Sequence, residues 1–132
     1  NRIIDAFPGN LQDQIRTQLS TTLIGVLAQT LLPKISGGRC AAYETLVVTP
    51  GVANLIRENK TFRINSAIQT GAKFGMNLMD DSLFDHWVEE RVAMEDVLGK
   101  AQDPDSLAKR IANARRAMME DIPEEEELEE IE

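Results

Sequence analysis

Residues 29–58 read QTLLPKISGGRCAAYETLVVTPGVANLIRE, and the fold turns on how this stretch is parsed. Two apolar runs flank the Gly37-Gly38 pair, the pattern of a β-hairpin whose tight turn needs residues that tolerate positive φ. Pro33 lies in the first run and has no N–H to give to a ladder, so this strand is expected at an edge or in irregular pairing. The second strand is expected over residues 39–48, closing on the β-favouring Leu46-Val47-Val48. Thr49-Pro50 then opens a helix, because proline fits the first helical position, where its missing N–H costs nothing. In that helix Val52, Leu55 and Ile56 share the buried face, and Asn54, Arg57 and Glu58 lie off it.

Upstream, apolar residues recur at Leu11, Ile15, Leu19, Leu23 and Val26/Leu27 after Asn10, a candidate N-cap. This spacing predicts an amphipathic helix over residues 10–27. Residues 1–8 read as the end of another helix, stopped by Phe7-Pro8-Gly9. Downstream, a helix is expected over residues 62–70 on Ile64 and Ile68. Gly71 and Gly75 then mark a turn or a close backbone contact. Met79, Leu83, Phe84, Trp87 and Val88 define the next helix. Asp103-Pro104-Asp105 caps a last one, running to about residue 119 and basic at Lys109, Arg110, Arg115 and Arg116.

Charge separates the ends of the chain. The 132 residues carry a formal net charge of −8, yet residues 120–132 hold nine acids and no base, so the body is close to neutral. No general basic field is available to attract nucleic acid. After Pro123 the apolar content is too low to offset ordering entropy, and a disordered acidic tail is expected, with solubilising or partner-binding roles open to it. The one cysteine, Cys40, excludes an internal disulfide and a cysteine-rich zinc site, and fits a reducing compartment. No apolar run reaches spanning length, so no membrane span is expected. The sequence opens without Met and in mid-pattern at Asn1-Arg2-Ile3-Ile4, as expected of a piece of a longer chain.

Few residues invite chemistry. Phosphoryl transfer needs a glycine-rich loop ending in Gly-Lys-Ser/Thr and acids that hold magnesium. Here Gly37-Gly38 leads into Arg39, and neither Lys34 nor Lys73 has that context. No catalytic residue is expected, and this chain alone is expected not to hydrolyse ATP. His86 stands beside Asp85 and three before Glu89; one histidine with such neighbours reads as a structural or exposed residue, and no metal site is expected. Arg39 is either an exposed strand charge or a contact to nucleotide or a neighbouring subunit. Glu44, a carboxylate in a strand, suggests a paired or interfacial role.

Taken in order, NRIIDAFP, LAQTLLPKI, GGRCAAYETLVVTP, NLIRE and SAIQTGAKFGMNLMD resemble the C-terminal part of a PilT-type ATPase. These are the retraction motors of type IV pili, within the type II/IV secretion ATPase family. The resemblance covers roughly residues 1–90 in several linked motifs. It implies an α/β fold: a C-terminal fragment of a RecA-like P-loop ATPase domain, with a β-hairpin followed by a mostly helical region. Residues 1–60 would end the RecA-like core, 61–119 would form a helical subdomain, and 120–132 the acidic tail.

The family's retraction motif Ala-Ile-Arg-Asn-Leu-Ile-Arg-Glu aligns with residues 51–58. Asn54, Leu55, Ile56, Arg57 and Glu58 match it, whereas Gly51, Val52 and Ala53 depart. The resemblance implies a motor-coupling role for the matching five. It also implies ATP and magnesium in the full-length parent, a homo-hexamer, an inner-membrane pilus platform protein as partner, and a cytoplasmic location peripheral to the inner membrane. Related assembly ATPases usually carry a four-cysteine zinc insertion before the Gly-Arg strand, which is absent between Leu32 and Gly38, so the retraction subgroup is favoured. The rival readings are a non-enzymatic interaction module with an acidic tail and another secretion ATPase of the family.

Overall fold

The computed structural model describes residues 2–121. The expected disordered tail lies outside the described residues. A short helix α1 (Arg2–Asp5) leads into α2 (Gly9–Thr22) and an antiparallel hairpin of β1 (Gly25–Pro33) and β2 (Arg39–Val47). Helix α3 (Pro50–Arg57) follows, then α4 (Ile64–Thr70), α5 (Met79–Val88), α6 (Met94–Lys100) and α7 (Pro104–Glu120), with 3-10 turns at Thr61–Arg63 and Ala72–Phe74.

The hairpin forms as its sequence dictates. Pairing runs from Gly25↔Val47 to Pro33↔Arg39, so Pro33 closes the ladder beside the turn and interrupts nothing. Gly37 and Gly38 take φ of 97° and 74°, the left-handed values the tight turn requires. The first helix, in contrast, stops short of expectation. Leu23 is already extended, and Val26 and Leu27 belong to β1, paired with Leu46 and Thr45. Two causes act together: Thr21 and Thr22 back-bond to the helical carbonyl of Gln18, and Gly25 with β-branched neighbours favours the strand that β2 completes. Asn10 is not the cap either. The helix begins at Gly9 behind an extended Pro8, whose carbonyl accepts the Leu11 N–H at 2.9 Å.

Helix α6 is an element the sequence reading did not anticipate. Its charged neighbourhood, from Glu89 to Asp96, hides the spacing of Val92, Met94, Val97 and Leu98, of which Val92 and Val97 are fully buried.

Two apolar clusters meet in the hairpin. Leu46 joins Val52, Ile56, Ile68 and Met76 in one, which packs α3 and α4 beneath the open end of the hairpin. Leu32 and Ala42 join Met79, Leu83, Val92, Val97, Leu107 and Ile111 in the other, which packs α5, α6 and α7 along the rest of it. Gly71 sits where the α4 backbone meets Met76: a Cβ there would fall 2.6 Å from the Met76 sulfur and 2.9 Å from the Ala67 carbonyl oxygen, so only glycine fits without displacement.

The two edges of the hairpin are treated differently. Along β2, the outward backbone groups are taken one after another. Asn77 exchanges backbone hydrogen bonds with Thr45 (2.9 and 3.1 Å) and donates its side-chain amide to the Tyr43 carbonyl. Ser82 Oγ accepts from the Tyr43 N–H, and His86 Nε2 lies 2.8 Å from the Ala41 carbonyl. The outer edge of β1, which carries the alternate groups of Leu27, Gln29 and Leu31, has no strand beside it among the described residues.

Candidate functional site

Helix α3 is anchored at both ends. Thr49 Oγ1 accepts the Val52 N–H at 3.3 Å and Pro50 opens the first turn, the expected start. At the far end Asn59 takes a left-handed φ of 58°, and the Lys60 N–H returns to the Leu55 carbonyl at 2.8 Å. Val52 and Ile56 fill the first cluster, and this apolar face fixes which residues the helix shows to solvent.

Of the five residues matching the retraction motif, Ile56 is buried, Leu55 is half-buried, and Asn54, Arg57 and Glu58 are exposed together. Arg57 Nη1 donates to Asn54 Oδ1 at 2.7 Å, and Glu58 pairs with Lys60 at 3.1 Å. The result is a polar ridge with one cation held by a neutral neighbour, so the Arg57 charge is oriented and not cancelled. A Cβ placed on Gly51 would have only Thr49 Oγ1 within 4 Å, so its departure from the motif reflects no shortage of space.

The other singled-out residues lie apart from this ridge. Arg39 is exposed at the turn end of β2, paired with Pro33. Glu44 turns inward, and its Oε1 accepts the Met79 N–H at 3.1 Å, satisfying a free donor at the start of α5. The suspected pairing of this strand carboxylate is therefore found within the chain, with a helix terminus. Cys40 is a half-buried strand residue packed on the second cluster.

His86 is buried, in keeping with its structural reading. A carbonyl can only accept, so Nε2 carries the proton directed at Ala41, and Nδ1 lies 3.9 Å from the Cys40 sulfur. His86→Leu should leave the Ala41 carbonyl without its partner and lower the unfolding free energy by about 1–3 kcal/mol. Urea denaturation measures this, and an unchanged midpoint would remove the edge-covering role. Sequence reasoning missed this device, together with Asn77 and Ser82, because the residues it joins are 34 to 46 positions apart. The basic residues of α7 also acquire local work: Arg110 stacks 3.9 Å over Phe84 and pairs with Asp81, and Arg115 lies over Trp87. Among the described residues no group of three or more His, Cys, Asp or Glu is arranged to hold a metal, and no helix is long and apolar enough to cross a membrane.

Comparison with known proteins gives this geometry a setting. No family model matches the chain. The type IV pilus retraction ATPase PilT of Pseudomonas aeruginosa is 40% identical over 107 residues, covering 81% of this chain and 31% of that protein. The chain is homologous to a C-terminal region of PilT. A twitching motility protein of Neisseria gonorrhoeae is 41% identical over 109 residues, 82% of this chain and 29% of its own length. The chain thus spans about a third of the length of the curated relatives it matches. The crystal structure of the pilus retraction motor PilT with bound ADP superposes with a TM-score of 0.72 at 39% identity, over 82% of this chain and 30% of that one. The ATPase DotB of Legionella pneumophila, at 19% identity and a TM-score of 0.58, shares the fold. The α/β expectation, a hairpin followed by helices in the arrangement of a C-terminal PilT fragment, is what the fold shows.

Proposed function

We propose that the chain is the C-terminal part of a hexameric motor ATPase that powers type IV pilus retraction, with the α3 ridge as its coupling element. The observation that carries this reading is the exposed Asn54, Arg57 and Glu58 on a helix locked by Val52 and Ile56, in a fold homologous to PilT. Rigid anchoring matters because a coupling element must move with the body that carries it. The solved PilT structure holds ADP, which supports a nucleotide in the parent protein, and this reading takes it to be ATP with magnesium. The residues present do not fit the nucleotide's phosphates, since no Gly-Lys-Ser/Thr loop occurs in the sequence. This chain alone is therefore proposed to be inactive in hydrolysis, with chemistry supplied by the preceding part of the parent.

Further support comes from the uncovered side of the hairpin. Leu27 is 65% exposed, Leu31 and Tyr43 share its face, and among the described residues no strand covers the β1 edge. An apolar sheet face and a free nine-residue strand suit continuation into the sheet of a RecA-like core. In this reading residues 1–60 complete that core, residues 61–119 form the helical subdomain, and Arg39 faces a neighbouring subunit. The motor works at the cytoplasmic side of the inner membrane, against the pilus platform protein.

A chimera tests the assignment. P. aeruginosa PilT with its homologous C-terminal third replaced by this chain should hydrolyse ATP and restore twitching in a strain lacking PilT. A chimera that assembles and hydrolyses ATP but leaves cells without twitching would overturn the retraction assignment.

A further inference from the structure

Helices α3 and α4, joined by a short connection, leave an apolar groove of about 300 Å³ between them, lined by Gly51, Leu55, Ala67, Thr70, Phe74 and Met76 among others. Phe74 stands at its lip 53% exposed, with the Lys73 ammonium 5.0 Å from the ring centre. In the connection Phe62 is 77% exposed beneath Arg63. Across residues 49–76 the bases are Arg57, Lys60, Arg63 and Lys73, and the only acid is Glu58, which Lys60 already holds. No carboxylate pairs with Arg57, Arg63 or Lys73 among the described residues. An apolar floor with the Lys73 cation at its Phe74 lip, on a stretch whose other bases are Arg57, Lys60 and Arg63, favours an acidic segment that carries spaced apolar anchors.

The chain itself contains such a segment. Residues 120–132, EDIPEEEELEEIE, place Ile122, Leu128 and Ile131 among nine acids and no base. Of the four bases of α7, the nearer alternative, Arg110 and Arg115 are engaged with Asp81, Phe84 and Trp87 and Arg116 with Asn113, which leaves Lys109 without a partner among the described residues.

Geometry decides which copy supplies it. Arg110 meets Asp81 and Phe84, and Arg115 meets Trp87, so α7 runs in the same sense as α5. The α5 helix ends beside the hairpin turn, where the Arg91 carbonyl accepts the Ile35 N–H. The groove adjoins Thr49, at the open end of the hairpin. Strands of nine residues separate these ends by about 30 Å. Residues 122–132 reach about 36–40 Å at most, so a chain's own segment could bring Ile131 to the groove but would leave Ile122 and Leu128 short of it. We propose that residues 120–132 of one copy seat in the α3–α4 groove of the next, a head-to-tail contact. Such a heterologous interface links copies into a ring or a filament.

The test uses a fluorescein-labelled peptide of residues 120–132 and the chain ending at Asp121, which retains both apolar clusters. Saturable binding by fluorescence anisotropy is expected. It should weaken at least tenfold in the Arg63→Glu/Lys73→Glu variant, whose fold is checked by circular dichroism, and equally when Ile122, Leu128 and Ile131 of the peptide become serine. In sedimentation velocity the full chain should self-associate with rising concentration, and the same double variant should return it to monomer. Absence of peptide binding, binding indifferent to the double variant, or equal binding of the serine peptide would overturn the groove assignment. A full chain that stays monomeric while the shortened chain binds the peptide would overturn the second copy as its source.

Discussion

Leu83→Ala is expected to lower the unfolding free energy by about 3–4 kcal/mol, within the usual range for a leucine truncated in a core. Leu83 has no solvent exposure and belongs to the cluster in which α5 meets Leu32 and Ala42 of the hairpin and Leu107 and Ile111 of α7. Removing its isopropyl group withdraws contacts from three elements at once, and the β2 edge hydrogen bonds of Asn77, Ser82 and His86 hold α5 in place, so the cavity cannot close by sliding the helix. For a chain of this size the loss corresponds to about 10–15 °C in Tm. Val88, 39% exposed on the same helix, is the control: Val88→Ala should cost under about 1 kcal/mol. Calorimetry of the two variants checks the contrast, and similar losses at both positions would contradict the packing assigned to α5.

The parts of this fold that could be read from sequence are those governed by local chemistry. Gly37-Gly38, Thr49-Pro50 and Asp103-Pro104 each impose a turn or a cap within four residues, and each stands where expected. Where local preference is weak, pairing decided instead. Val26 and Leu27 continue a helical period, but they lie in β1 because β2 offers them a ladder. Asn77, Ser82 and His86 were opaque for the related reason that their partners are distant in sequence. Glu44 was legible as an oddity, a carboxylate where strands disfavour one, and its partner at Met79 became visible only in three dimensions. The α3 ridge was legible in outline, since the buried spacing of Val52 and Ile56 leaves Asn54, Arg57 and Glu58 outside.

That ridge permits a clean separation of stability from coupling. Arg57 is exposed and, among the described residues, its side-chain hydrogen bond goes to Asn54 on its own helix, so Arg57→Ala should change stability by no more than about 0.5 kcal/mol. Under the motor reading, the same substitution in the full-length parent should leave ATP binding and turnover near the unsubstituted level while pilus retraction falls to background, because it removes the ridge cation that carries no ion pair among the described residues. Val52→Ala, beneath the ridge and 1% exposed, should do the reverse in solution: a loss of about 1–3 kcal/mol with the ridge chemistry intact. Twitching assays alongside ATPase rates and thermal melts separate the two outcomes. Normal twitching in Arg57→Ala would take the coupling role away from this residue, and a large drop in its melting temperature would assign any functional loss to unfolding.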